Sequence, residues 1–196
     1  MKNLKIKQEF KNLISPLGED EFAQLQDNIL NQGAVLSPIS VWNNVILDGH
    51  NRWEIVCKHP ERHIIFQTVE ISGIENDNDA AIWIIKNQFG RRNLTDFDRN
   101  ELAILLKEKI AIKAKENQRE GGRNKGLANL PKPINARKEA AVAAGTKERQ
   151  LQKHVYIKAK SPELLNDVRQ GRRSYDNAYR AVGQAEKKEE MQKKNT

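Results

Sequence analysis

Leu47-Asp48-Gly49-His50-Asn51-Arg52-Trp53 is the stretch that decides the fold, because an apolar strand runs there into a glycine turn that opens a helix. Such a junction is suited to an anion. The first N–H groups of a helix lack intrahelical partners, the helix dipole adds positive potential, and Gly49 lets a phosphate approach the main chain. Arg52 contributes a planar, permanent cation. The plain alternative is an ordinary strand-to-helix turn with a solvated arginine. A second element, Asn87-Gln88-Phe89-Gly90-Arg91-Arg92-Asn93-Leu94-Thr95, follows another helix and sets two arginines in a glycine-containing turn. Together the turns point to a phosphate-bearing ligand contacted by Gly49, His50, Asn51, Arg52, Asn87, Arg91 and Arg92. Asp48 and His50 are the candidates for proton transfer, yet nothing else completes a catalytic set, and Asp48 reads equally as a helix cap. No carboxylate cluster has metal-ligand spacing, since Asp77 and Asp79 read as a loop and a cap.

The flanking residues predict small mixed elements. Leu4–Lys7 alternates like an edge strand, and Glu19–Asn31 carries acids in its first turn, a helical apolar spacing and a stop at Gly33. Pro38–Trp42 and Val45–Leu47 flank Asn43-Asn44 as a hairpin. Ile64–Ile71 reads as a strand, and Asp77 or Asn78 as the cap of a helix through Ala80, Ile84 and Ile85. Cys57 reads as a small core residue.

Charge is divided along the chain. Residues 1–100 carry 11 Lys+Arg against 14 Asp+Glu, and residues 101–196 carry 23 against 12, so the halves have charges of −3 and +11 within the total of +8. A basic back half points to a polyanion, most simply nucleic acid. No apolar run reaches the ~20 residues of a membrane span, and a single cysteine fits a reducing compartment, so a cytoplasmic location with no membrane partner is expected. The organisation reads as an α+β domain over 1–95, a connecting helix over 96–116 begun by a Thr95–Asp98 capping box, and a flexible basic linker over 117–134. A helical domain over 135–184 and a charged tail over 185–196 follow.

Within that helical domain, Ala141, Gly145 and Leu151 have the spacing of a helix-turn-helix: a small residue for close crossing, a glycine for the turn, and an apolar anchor. Thr146 would cap the second helix, and Lys147, Arg149, Gln150, Gln152 and Lys153 would face DNA, with Arg172 and Arg173 further on as phosphate contacts. His154 stands where an apolar residue would pack better. An ordinary helical hairpin is the alternative.

The order of these elements resembles the ParB-like proteins over residues 1 to about 183, closest to the short forms of plasmids, phages and integrative elements. The resemblance rests on Asp48–Trp53, Asn87–Thr95 and Ala141–Ala178. It implies a ParB/sulfiredoxin-like α+β domain followed by an all-α helix-turn-helix domain, a homodimer, and double-stranded DNA as partner. In the family the first motif reads Gly-Glu-Arg-Arg-x-Arg-Ala and, with a second motif, binds the phosphates of CTP, so CTP with magnesium is the implied cofactor. Here Gly49 and Arg52 match, while Asn51 and Glu54 replace two arginines and Ile55 replaces the alanine; in the second motif Lys86 stands for a glutamate. Sulfiredoxin's catalytic cysteine has His50 in its place. The resulting expectation is a DNA-binding partition or regulatory protein of a mobile element, with a nucleotide hydrolase or nuclease as the alternative.

Overall fold

A computed structural model describes residues 3–90, 94–123 and 135–194, and the chain divides into two compact units, Met1–Gln88 and Phe89–Thr196. The first contains α1 (Gln8–Lys11), α2 (Glu19–Gln32), β1 (Ile39–Trp42), β2 (Val45–Asp48), α3 (His50–Lys58), β3 (Thr68–Glu70) and α4 (Asp77–Gln88). The sheet order is β2-β1-β3, with β1 antiparallel to β2 and parallel to β3. Asn43 and Asn44 both take left-handed backbone, with φ of 50° and 63°, which gives the hairpin a turn that follows strand twist. Alternation along β1 and β2 then divides their side chains between two faces. Ile39, Val41 and Ile46 pack with Ile29 of α2 and Trp53, Ile55 and Val56 of α3. Leu47 turns the other way, onto Phe10 of α1 and Ala80 and Ile84 of α4. A three-stranded sheet is thereby buried between helices.

Four local expectations are corrected in this unit. The Leu4–Lys7 strand reduces to an isolated bridge from Lys5 to Val45. The Ile64–Ile71 strand shortens to Thr68–Glu70, because Ile65 instead exchanges backbone bonds with Gly33 and Val35, at 3.0 and 2.8 Å. Asn76, rather than Asp77 or Asn78, caps α4: its side chain accepts from the Asp79 N–H at 3.0 Å. Cys57 is exposed, since α3 buries its neighbours Ile55 and Val56 and turns the thiol outward.

The second unit is helical, with α5 (Asp96–Arg123), α6 (Ala136–Ala144), α7 (Glu148–Lys160), α8 (Pro162–Arg169) and α9 (Tyr175–Lys194). Thr95 and Asp98 form the expected reciprocal cap: the Asp98 N–H donates to Thr95 Oγ1 at 3.1 Å and the Thr95 N–H to Asp98 Oδ2 at 3.4 Å. Rather than ending at 116 as a connector, α5 continues to Arg123 and belongs to this unit, where Ala103 packs on Ala141, Ala144 and Leu151. Gly121 and Gly122 weaken a helix by only ~1 kcal/mol each, too little to stop one without a proline. The rest of the expected linker, 124–134, lies outside the described residues. Likewise α9 runs through 185–194, the expected tail, because Lys160 and Tyr156 of α7 bond to its Glu186.

Gly145, with φ of 66°, closes α6: its N–H donates to Val142 O and the Thr146 N–H to Ala141 O. His154 of α7 is fully buried and joins three helices. Its Nε2 lies 2.7 Å from Glu101 Oε1 on α5, and its Nδ1 2.9 Å from the Tyr175 hydroxyl on α9. A carboxylate only accepts, so Nε2 carries the proton. Lys158 approaches the other Glu101 oxygen at 2.7 Å, and these partners, His154 first, hold the Glu101 carboxyl down at about 2. Its ordinary value is 4.5, so the stabilisation is complete above pH 4.5 and is lost as pH falls towards about 2. Glu101→Gln is therefore expected to lower unfolding free energy near neutral pH by ~1–3 kcal/mol, with the deficit shrinking in urea titrations at pH 3.

Candidate phosphate turn and nucleic-acid surface

The Asp48–Arg52 turn is built as expected and closed in an unexpected way. Gly49 is the N-cap of α3 with φ of 97°, and its carbonyl accepts the first helical bond from the Trp53 N–H at 2.9 Å. Arg52 does not project outward. Its Nη2 donates to Asp48 Oδ2 at 2.8 Å, with both side chains only about one-fifth exposed. A cation in the first turn opposes the helix dipole, and Asp48 relieves that conflict by supplying a carboxylate at the same end. The guanidinium lies across the glycine: a β-carbon at position 49 would sit 2.9 Å from Arg52 Nη2, 3.1 Å from Nε and 3.3 Å from Ile39 Cγ1. Gly49 thus makes room for Arg52, where sequence spacing suggested room for a phosphate.

His50 and Asn51 line a separate cleft of about 750 Å³, bounded by α1, α2 and α3 and including Lys11, Phe22, Glu54 and Lys58. His50 is 4% exposed. Glu54 stands 3.4 Å from Lys11 and 2.9 Å from Lys58, and chiefly the Lys58 bond lowers its carboxyl. The signal for this wall was present, since His50, Glu54 and Lys58 repeat every four residues on α3. Asn87 is exposed on the last turn of α4, while Arg91 and Arg92 lie outside the described residues.

The helical unit sorts its candidates by rotation of α7. Leu151, His154 and Ile157 face the core, leaving Lys147, Arg149 and Gln152 exposed at the N-terminal end. Two residues expected on this surface are otherwise engaged. Thr146 is not the cap, a position held by Lys147; its hydroxyl donates to Asn100 Oδ1 of α5 at 3.0 Å. Lys153 is bonded to Asp176 of α9, lies 5.9 Å from the Tyr179 ring centroid, and leaves 16% of its side chain exposed. Gln150 is half-buried beside the turn between α8 and α9. In that turn Arg172 donates to Asp167 Oδ1 through Nε and Nη2, at 3.0 and 2.6 Å, and Arg173 Nε lies 4.0 Å from the other oxygen. The C-terminal half of α7 is neutralised internally, by Glu101 at Lys158 and by Glu186 at Lys160. Tyr156 bonds to the same Glu186, which pushes its phenol up to about 12.

A small mixed sheet enclosed by helices, followed by a run of helices, is a ParB-like fold. Two solved structures show it. A pNOB8-like ParB N-domain in a C2221 crystal form superposes with a TM-score of 0.60 at 19% identity, covering 90% of this chain and 75% of that one. A further structure described as the pNOB8-like ParB N-domain gives 0.58 at 20% identity, covering 90% and 70%. Since Met1–Gln88 is under half of the chain, the likeness takes in most of the helical unit as well. No family model and no curated protein sequence matches the chain.

The close packing at Gly49 is testable. Gly49→Ala is expected to cost ~1–2 kcal/mol in chemical denaturation, from the left-handed backbone and the displaced guanidinium. In an Arg52→Ala background the cost should be smaller, since the clash with that side chain is gone; equal costs in a double-mutant cycle would mean that backbone strain and the Ile39 contact, not Arg52, require the glycine.

Proposed function

We propose that this chain is a DNA-binding protein of the partition type, reading duplex DNA with α7 presented by the α6–Gly145–α7 helix-turn-helix. The observation that carries this reading is the N-terminal end of α7, where Lys147, Arg149 and Gln152 are exposed opposite the buried Leu151, His154 and Ile157. That is the end which enters the major groove in helix-turn-helix proteins; Arg has two parallel donors for guanine N7 and O6, and the Gln amide has a donor and an acceptor for adenine N7 and N6–H. The charge of +11 on residues 101–196 supplies the sequence-independent attraction. The partition assignment draws on the ParB-like fold, and a site on a plasmid, phage or integrative element is the corresponding target.

Nucleotide recognition is not part of the proposal. The family resemblance implies a triphosphate at the turn before α3, where Arg52 donates to Asp48 and lies over Gly49, so a phosphate there would have to share or displace that pair. Loss of two family arginines to Asn51 and Glu54 goes in the same direction.

Duplex binding followed by fluorescence anisotropy across a salt series tests the assignment. Affinity should fall steeply with salt, and Lys147→Ala and Arg149→Ala should each reduce the slope of log K against log salt by about 1. Lys153→Ala should have a smaller effect, because its charge is already met by Asp176. Binding that is independent of salt, or untouched in the Lys147→Ala/Arg149→Ala variant, would remove α7 from the interface.

A further inference from the structure

A second cationic surface lies away from the exposed face of α7, at the corner between α8 and α9. Arg172, Arg173 and Arg180 line a concave pocket of about 480 Å³ there, together with Ser174, Asn177 and Gln184. Asn177, Arg180, Ala181 and Gln184 are spaced three and four apart, so they form one face of α9, opposite the buried Tyr175, Ala178 and Val182. Outside the pocket lining one carboxylate serves two of its guanidiniums: Asp167 holds Arg172 at 2.6 Å and meets Arg173 only at 4.0 Å. Arg180 forms no salt bridge among the described residues; the nearby Asp176, one turn earlier, is taken by Lys153. A net positive, polar concavity remains.

Its neighbourhood indicates what fills it. A groove of about 520 Å³ shares Gly171, Arg173 and Ser174 with the pocket and extends to Gln150 on α7; its other charged lining is Arg169, Asp96 and the Asp176 carboxylate that Lys153 already holds. A polymer crossing the start of α7 can therefore continue into the corner, whereas a free anion would use only one end. We propose that the Arg173–Arg180 pocket receives a backbone phosphate of the bound DNA, with Arg180 as an anchoring residue that sequence spacing did not single out. The placement rests on the DNA-binding reading of α7. Such a contact fixes position along the backbone and adds no base preference.

The test uses the full chain and a duplex of random sequence, with anisotropy titrations between ~50 and 200 mM KCl. Arg180→Gln keeps most of the side chain's length without its charge, and should weaken binding about 3- to 10-fold at ~100 mM salt and lower the salt slope by about 1. Arg180→Lys should retain most of the affinity, and equal loss in both variants would overturn the electrostatic role. Thermal melts by circular dichroism should match the unmodified protein, and a lower Tm in Arg180→Gln alone would assign Arg180 to packing instead. Unchanged affinity and slope in Arg180→Gln, alongside a loss in Arg149→Ala, would overturn the pocket and leave α7 standing. Absence of salt-dependent binding by the unmodified chain would overturn both.

Discussion

The buried imidazole of His154 is the constraint on which the helical unit depends. An apolar side chain would fill the same volume and tolerate many rotations of α7, because dispersion contacts have little direction. His154 tolerates one. Its two ring nitrogens must meet Glu101 and Tyr175, which come from different helices, and a buried polar group left unpaired costs more than the pair contributes. Fixing the rotation of α7 in this way determines which of its residues face outward. On the DNA-binding reading proposed above, base contacts would depend on that register, so stability and specificity would meet in the same three side chains.

The α+β unit answers to a different constraint, the two-sidedness of its short sheet. Three strands of three or four residues cannot stand alone, and each must be covered on both faces. The alternation of Ile46 and Leu47 divides the core between α2 and α3 on one side and α1 and α4 on the other. Gly49 ends β2 and starts α3 within one residue, which places the Asp48–Arg52 pair at the sheet's edge.

Much of this was legible in the residues. Helical periodicity located α2, α3, α4 and α7, the Asn43-Asn44 pair located the hairpin, and Gly33, Gly145 and the Thr95–Asp98 box marked helix ends, because each of these signals is satisfied by near neighbours. Four of the failures have the opposite property. Ile65 was lost from its strand to Gly33 and Val35, Thr146 from its cap to Asn100, and Lys153 from the open surface to Asp176. His154 looked misplaced until Glu101 and Tyr175 came beside it. In each case a partner more than twenty residues away decided the outcome, and one-dimensional spacing does not carry that. The candidate surface divided along the same line: the exposure of Lys147, Arg149 and Gln152 could be read from the α7 pattern, and the Glu54 wall from the four-residue repeat on α3, whereas the pocket around Arg180 required the packing of α8 on α9.

The closed turn before α3 has one more consequence. Asp48 and Arg52 are four residues apart on a rigid element, so the carboxylate meets the guanidinium at an effective concentration in the millimolar range or above. Any external anion must share the guanidinium with that tethered partner or displace it. The turn is therefore a site with its own resident counter-ion, and its selectivity is set by how strongly a ligand can displace an internal carboxylate as much as by how well it fits the helix end.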